Sequence, residues 1–226
     1  MPSRRIRRGI DGSGVCRRMD EQRVDSRAAE KQPQGFSSDF SFCVKVNGHE
    51  LSFQTGSSCF SPQSADKGTL AMLSCVTVSE GQRVLDLGCG YGLVGIYAAK
   101  CVGESSVYMT DIHEQSLCFA WENARRNGVS GVHISKSDGF RELKETEFDV
   151  ILSNPPYHTD FSVAKHFLEK GFNRLAIGGH FYMVTKRKEW YKNKFISLFG
   201  GVKIHEVDGY FVFDGEKRAS AYAKAR

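Results

Sequence analysis

The chain has no C-x-x-C pair. Its seven cysteines, Cys16, Cys43, Cys59, Cys75, Cys89, Cys101 and Cys118, are scattered and odd in number. Neither a disulfide framework nor a paired-cysteine zinc site is expected, and a reducing cytoplasm is the natural setting. Also missing are an apolar run long enough to span a bilayer, an apolar core near the start of the kind a secretory signal carries, and internal repeats. Proline is scarce, five residues in 226, and two of them are adjacent at Pro155-Pro156. What remains is ordinary for a globular chain: 40% hydrophobic residues, enough length for one α/β domain with a sizeable core, and a net charge of +5. The mildly basic balance permits an anionic partner without demanding one.

Residues 1–35 stand apart. They carry nine arginines and lysines against five acidic residues, a net of +4, with few large apolar side chains. Such a segment buries too little surface to offset its ordering entropy, so a disordered basic tail is expected, followed by one domain over 36–226. The arginines suggest an RNA-binding arm or an organelle transit peptide. Acidic residues from Asp20 onward weaken the transit reading, and a translation start at Met19 is a further alternative.

From Phe40 the pattern becomes regular. Phe40, Phe42, Val44 and Val46 alternate with polar residues up to Asn47-Gly48, and Leu51 and Phe53 follow, which predicts a β-hairpin. A helix is expected over 67–76, with Leu70 and Leu73 inward. Strands are expected at 83–87, 106–110, 132–135, 148–152, 180–185, 202–206 and 210–213, with helices at 92–101, 114–127, 161–176 and 188–199. Trp121 is assigned to the core. The alternation implies an α/β fold: a doubly wound, seven-stranded, mostly parallel sheet with an antiparallel C-terminal strand, preceded by the hairpin. Asp208-Gly209 marks the turn between the last two strands, which puts the antiparallel pairing at a sheet edge.

The most informative stretch is "VLDLGCGYGLVG", Val84–Gly95. An apolar strand runs into Gly88, Gly90 and Gly92, and a helix begins. Glycine permits positive φ and close approach of backbone to a ligand, and the helix start offers free N–H groups. "GYGLVG" also fits the dinucleotide fingerprint G-x-G-x-x-G, a weak signal alone. Asp86 argues against NAD, because a carboxylate there faces the pyrophosphate unfavourably. It suits S-adenosylmethionine, which carries a sulfonium and an ammonium. Asp111, after the second strand, can take both ribose hydroxyls of an adenosine. Asp138, after the third, can reach the adenine amino group. Any one of these acids could be a helix cap; three in register with the glycine loop are hard to explain that way.

These residues resemble the class I S-adenosylmethionine-dependent methyltransferases, over roughly 40–215. The likeness is to the methyltransferase small domain of ribosomal RNA guanine-N2 methyltransferases, carried by "CFSPQSADKGT" (59–69), "DLGCGYGLVGI" (86–96), "DIHEQSLCFAWEN" (111–123) and "SNPPYH" (153–158). The resemblance implies that Gly68 and Thr69 lie against the methionine end of the cofactor. The ribosomal enzymes often carry a second, degenerate domain ahead of this one, where this chain has only its polar tail.

Asn154-Pro155-Pro156-Tyr157 ends the fourth strand beside the glycine loop. A base amino group is a poor nucleophile, because its lone pair is delocalised into the ring. The Asn154 side-chain oxygen and the Pro155 carbonyl can accept its two N–H bonds, and the prolines hold that carbonyl in place. Tyr157 offers a face on which the target base stacks. The Asn-Pro-Pro-aromatic pattern implies methylation of a planar nitrogen. Guanine N2 in ribosomal RNA leads, which makes RNA or a ribosomal subunit the expected partner. Adenine N6 in RNA or DNA, a protein glutamine amide, and an RNA-binding protein on an inactive fold are the alternatives. Intact Asp86, Gly88, Gly90, Asp111 and Asn154 argue against the last. His158 is open between a base or phosphate contact and a surface histidine. "TKRK" (Thr185–Lys188) is open between a phosphate contact and a solvated helix start; Lys217 and Arg218 extend the basic character.

Overall fold

The computed structural model describes residues 38–155 and 161–223. The expectations for the 1–35 tail, and for Pro156, Tyr157 and His158, lie outside the described residues. Two sheets form. The first pairs β1 (Phe40–Val46) with β2 (His49–Thr55) around Asn47 and Gly48. Their φ values, 45° and 92°, are both in the left-handed region that a two-residue hairpin turn requires.

The main sheet has seven strands: β3 (Val84–Leu87), β4 (Val107–Asp111), β5 (His133–Lys136), β6 (Phe148–Ser153), β7 (Leu175–Thr185), β8 (Lys203–Val207) and β9 (Tyr210–Glu216). Their order is β5-β4-β3-β6-β7-β9-β8, with β3 to β7 parallel and β9 antiparallel to both neighbours. The expected hairpin at Asp208-Gly209 forms, and its second strand inserts between β7 and β8, so β8 is the edge. The helices are α1 (Lys67–Cys75), α2 (Leu93–Val102), α3 (Glu114–Arg126), α4 (Phe161–Arg174) and α5 (Glu189–Phe199). Strand alternation divides the core. Val84, Val107, Val150 and Val184 face a layer that includes Met72, Ile96 and Ala120. Leu85, Ile151, Phe181 and Phe213 face Leu168, Phe172 and Phe195. Burial of both faces is what sustains a parallel sheet.

Three expectations need correction. Trp121 is not in the core: it is 44% exposed. The buried stripe of α3 runs through Leu117, Ala120 and Ala124, and Trp121 is turned about 100° from Ala120. Lys217 does not add to the basic surface. It is buried, with Nζ donating to the Leu175 carbonyl at 2.6 Å and lying 5.3 Å from the Phe172 ring centre. The fifth parallel strand begins at Leu175, where the periodicity carried α4 on to 176. Gly179 lets it start early, because a Cβ there would lie 2.8 Å from the Phe148 carbonyl oxygen.

The outer edge of β2 is finished by side chains. Asn127 accepts from Ser52 N at 3.0 Å and donates to Ser52 O at 2.8 Å. Asn123, one turn earlier on α3, does the same at Gln54, at 2.7 and 2.9 Å. Two amides four residues apart thus stand in for a third strand. Asn123 also donates to the Tyr91 carbonyl, at 2.9 Å, in the glycine-rich turn.

Candidate active site

The carboxyl ends of β3, β4 and β6 converge, with β3 and β6 neighbours at the point where the strand order reverses. Open α/β sheets bind their ligands there. Gly88, Gly90 and Gly92 all have positive φ, 78°, 55° and 98°. At Gly92 a Cβ would strike the Met109 side chain at 2.8 Å, a packing demand. At Gly90 it would meet nothing within 4 Å. The backbone there borders open space, as a ligand-facing glycine should.

The two acids beside this loop secure it. Asp86 is buried, and its Oδ2 accepts from Gly95 N at 2.8 Å in the first turn of α2. Burial pushes its carboxyl up to about 7, against the pull of that hydrogen bond. Asp111 accepts from Gly90 N through Oδ2 and from His113 N through Oδ1, both at 2.9 Å. A carboxylate has about four lone-pair positions, so two hydroxyls can still be bound. The turn after β5 is tied to the same place, with Ser137 N donating to the Asp111 carbonyl at 2.9 Å. Asp138 follows, exposed and paired with Arg141 at 3.0 Å.

Asn154 holds the other side. Its Nδ2 donates to Asp66 Oδ2 and to Thr69 Oγ1, both at 2.9 Å. Asp66 is the N-cap of α1 and also accepts from Thr69 N at 2.8 Å. A carboxylate only accepts, so it selects the NH₂ edge of the amide and turns Oδ1 the other way. Ser153, one residue earlier, donates to the Leu87 carbonyl at 2.9 Å and locks the end of β6 to that of β3. Gly68 packs under Tyr210: a Cβ would lie 2.8 Å from that ring.

The structure therefore joins Asp86 and Asp111 to the glycine turn and its helix, and Thr69 to Asn154 through their hydrogen bond; Asp138 follows the turn tied to Asp111 but is itself exposed and paired with Arg141. Sequence reasoning gives no role to Asp66, which lies within "CFSPQSADKGT". The available signal was its place two residues before Gly68, at a helix start. It missed Ile112 as well, a half-exposed apolar side chain directly after Asp111.

Fold, loop and acids together define an S-adenosylmethionine-dependent methyltransferase. The model of the methyltransferase small domain matches residues 50–214, and the chain belongs to that family. It is 26% identical over 193 residues to the uncharacterized protein YbxB of Bacillus subtilis (strain 168), covering 83% of this chain and 96% of that one. It is 30% identical over 172 residues to the ribosomal RNA small subunit methyltransferase C of Psychromonas ingrahamii, covering 74% and 49%. Among solved structures it is similar to a T. thermophilus 16S rRNA N2 G1207 methyltransferase in complex with AdoMet and guanosine. There the TM-score is 0.71 at 27% identity, over 79% of this chain and 50% of that one. The chain thus spans about half the length of these ribosomal relatives. No described helix is long and apolar enough to cross a membrane.

Proposed function

We propose that the protein methylates the exocyclic N2 of a guanine in ribosomal RNA, in the small subunit, and that it does so in the cytoplasm. The observation that carries the amino-nitrogen chemistry is the Asn154 amide, whose two N–H bonds are spent on Asp66 and Thr69, and the choice of guanine N2 follows the similarity to the N2 G1207 methyltransferase. What the side chain has left to offer is an acceptor, Oδ1. A base amino group presents two N–H bonds, and the Pro155 carbonyl takes the second. Asp66 and Thr69 orient the Asn154 amide before reaction, so positive charge building on the nitrogen meets that acceptor without its reorganisation.

S-adenosylmethionine supplies an electrophilic methyl on its sulfonium. Asp111 binds the ribose hydroxyls of its adenosine, Ile112 packs on the base and Asp138 meets the adenine amino group. Asp86 fixes the start of α2 against the glycine loop through Gly95 N. Thr69 Oγ1, already accepting from Asn154, keeps its own proton to donate to the methionine carboxylate. One side chain then touches both the cofactor and the residue that grips the target. Tyr157 stacks on the target base. The base nitrogen would take the methyl as the carbon–sulfur bond breaks, the electron pair staying on the sulfur of the departing S-adenosylhomocysteine; the methylated nitrogen, cationic and acidic, would pass a proton to water, so no side chain of matched pKa is required.

Purified protein, labelled S-adenosylmethionine and either ribosomal subunits or naked ribosomal RNA test the reading, with nucleoside mass spectrometry of the product. N2-methylguanosine is expected. N6-methyladenosine, or label on a protein glutamine alone, would overturn the substrate while leaving the methyl donor intact.

A further inference from the structure

The basic run after β7 sits in an arrangement its sequence does not announce. β7 is the partner of β6, with Ser153 opposite Met183, so the chain leaving β7 at Thr185 emerges beside Asn154. Thr185 is buried and its Oγ1 accepts from Arg187 N at 3.2 Å, which turns the chain along the sheet edge. Each of the next three cations then lies over an aromatic ring. Lys186 Nζ is 4.9 Å from the centre of Tyr210, Arg187 Cζ is 5.0 Å from Phe161, and Lys188 Nζ is 4.9 Å from Phe211. All three residues remain exposed. Lys188 shares its charge with Glu206 at 4.0 Å, whereas Lys186 and Arg187 form no ion pair among the described residues.

We propose that Lys186 and Arg187 are the phosphate dock for the unpaired RNA strand flanking the target nucleotide. This rests on the methyltransferase reading above and names the partner surface of the same site. Two physical points favour it. A long cationic side chain loses rotamer freedom when it binds, and seating its stem on a ring reduces that loss beforehand. The dock is also joined to the acceptor by direct packing. Lys186 lies over Tyr210, Tyr210 packs against Gly68, and Gly68 stands between Asp66 and Thr69, which hold Asn154. A phosphate on Lys186 is therefore at a distance from the acceptor set by packed side chains. Arg187, with its planar fork, can grip a second phosphate bidentately.

The full chain carrying Lys186→Gln and Arg187→Gln tests this by fluorescence anisotropy, using a labelled single-stranded oligoribonucleotide across a salt series. Two lost phosphate contacts should lower the slope of log K against log salt by about 1.4, and weaken binding about tenfold at physiological salt. Calorimetric S-adenosylmethionine affinity should not move. The charge-conserving pair Lys186→Arg and Arg187→Lys should keep the wild-type slope. Wild-type affinity and slope in the glutamine variant would overturn the dock, as would equal loss in both pairs. Neither result touches the methyltransferase reading, which fails instead if the wild-type chain binds no S-adenosylmethionine or leaves ribosomal RNA unmethylated.

Discussion

Asp66 performs two jobs through one oxygen, and substitutions can separate them. Oδ2 caps α1 through Thr69 N at 2.8 Å and clamps Asn154 Nδ2 at 2.9 Å. Asp66→Asn keeps an acceptor for the cap, so stability should change by less than about 0.5 kcal/mol. It removes the charge from the clamp, however, and charge-assisted hydrogen bonds exceed neutral ones by about 1 kcal/mol. It also presents an NH₂ group that can face Asn154 Oδ1 and so permits the amide to turn over. The expected loss is about fivefold to tenfold in single-turnover methyl transfer, taking 1.4 kcal/mol per factor of ten. Asp66→Ala loses both jobs. The missing cap costs roughly 1 kcal/mol, or about 2–4 °C in a domain of this size. The unclamped amide costs a further 1.5–3 kcal/mol in transfer, about tenfold to a hundredfold. Single-turnover rates with ribosomal RNA, melting curves and calorimetric cofactor affinity together read the outcome. If Asp66→Asn transfers methyl at the wild-type rate and Asp66→Ala loses only melting temperature, Asp66 is a helix cap and the clamp argument is refuted.

Asn154→Ala should bind S-adenosylmethionine normally and lose transfer by about a hundredfold or more, the scale for one preorganised acceptor; near-normal turnover would show that Oδ1 does not meet the substrate. Gly90→Leu points its side chain into space that nothing occupies within 4 Å. It should therefore abolish cofactor binding in calorimetry while folding persists at a cost of roughly 1 kcal/mol for the positive φ. Binding of NAD instead of S-adenosylmethionine by the wild type would contradict the loop assignment. Asp86 is raised from 3.8 unfolded to about 7 folded, so the fold favours its neutral form. Its contribution to stability is complete below pH 3.8 and is lost as pH rises to 7. Denaturant melts across that window should show the wild type losing ground to Asp86→Asn, and parallel curves would mean the carboxyl is not perturbed. Asn123→Ala removes three hydrogen bonds made by a fully buried side chain and should cost about 3 kcal/mol in stability.

The parts that were legible in the sequence are those whose cause is local. Strands β3 and β6 announced themselves as apolar runs ended by glycine and by proline. The hairpin followed from Asn47-Gly48, whose backbone demand is met within two residues. Parts decided by distant partners were not legible. The Asp66–Asn154 contact joins residues 88 apart in the chain, and no spacing rule connects a helix cap to the end of a strand so distant in sequence. Trp121, a large aromatic on the helix expected over 114–127, is assigned to the core from sequence. The hydrophobic stripe is instead centred on small Ala120, which lets α3 sit close to its neighbours. Lys217 read as surface charge, yet its neighbours offered a carbonyl and a ring face where its stem could be buried.

The hairpin ahead of the main sheet has a part in the site that its position alone would not suggest. Asn47 in its turn donates to the Leu73 carbonyl on α1, at 3.0 Å, and to the Tyr97 hydroxyl on α2, at 2.8 Å. Its β2 edge is held by Asn123, which also holds the Tyr91 carbonyl of the glycine turn. From the other end of α1, Asp66 holds Asn154, and Ser153 holds Leu87 at the mouth of the glycine loop. The bonds close a circuit: glycine turn, α3, hairpin, α1, strand β6, and back to the glycine turn. The acceptor Asn154 and the cleft beside Gly90 lie on opposite arcs of it. Methyl transfer needs donor and acceptor aligned to a fraction of an ångström, and a circuit of short hydrogen bonds between rigid elements fixes that alignment better than either loop could alone. The asparagine of "WEN" thus belongs to the same device as the asparagine of "NPPY": in the proposed function the second accepts the base amino group, and the first holds the glycine turn in register with it.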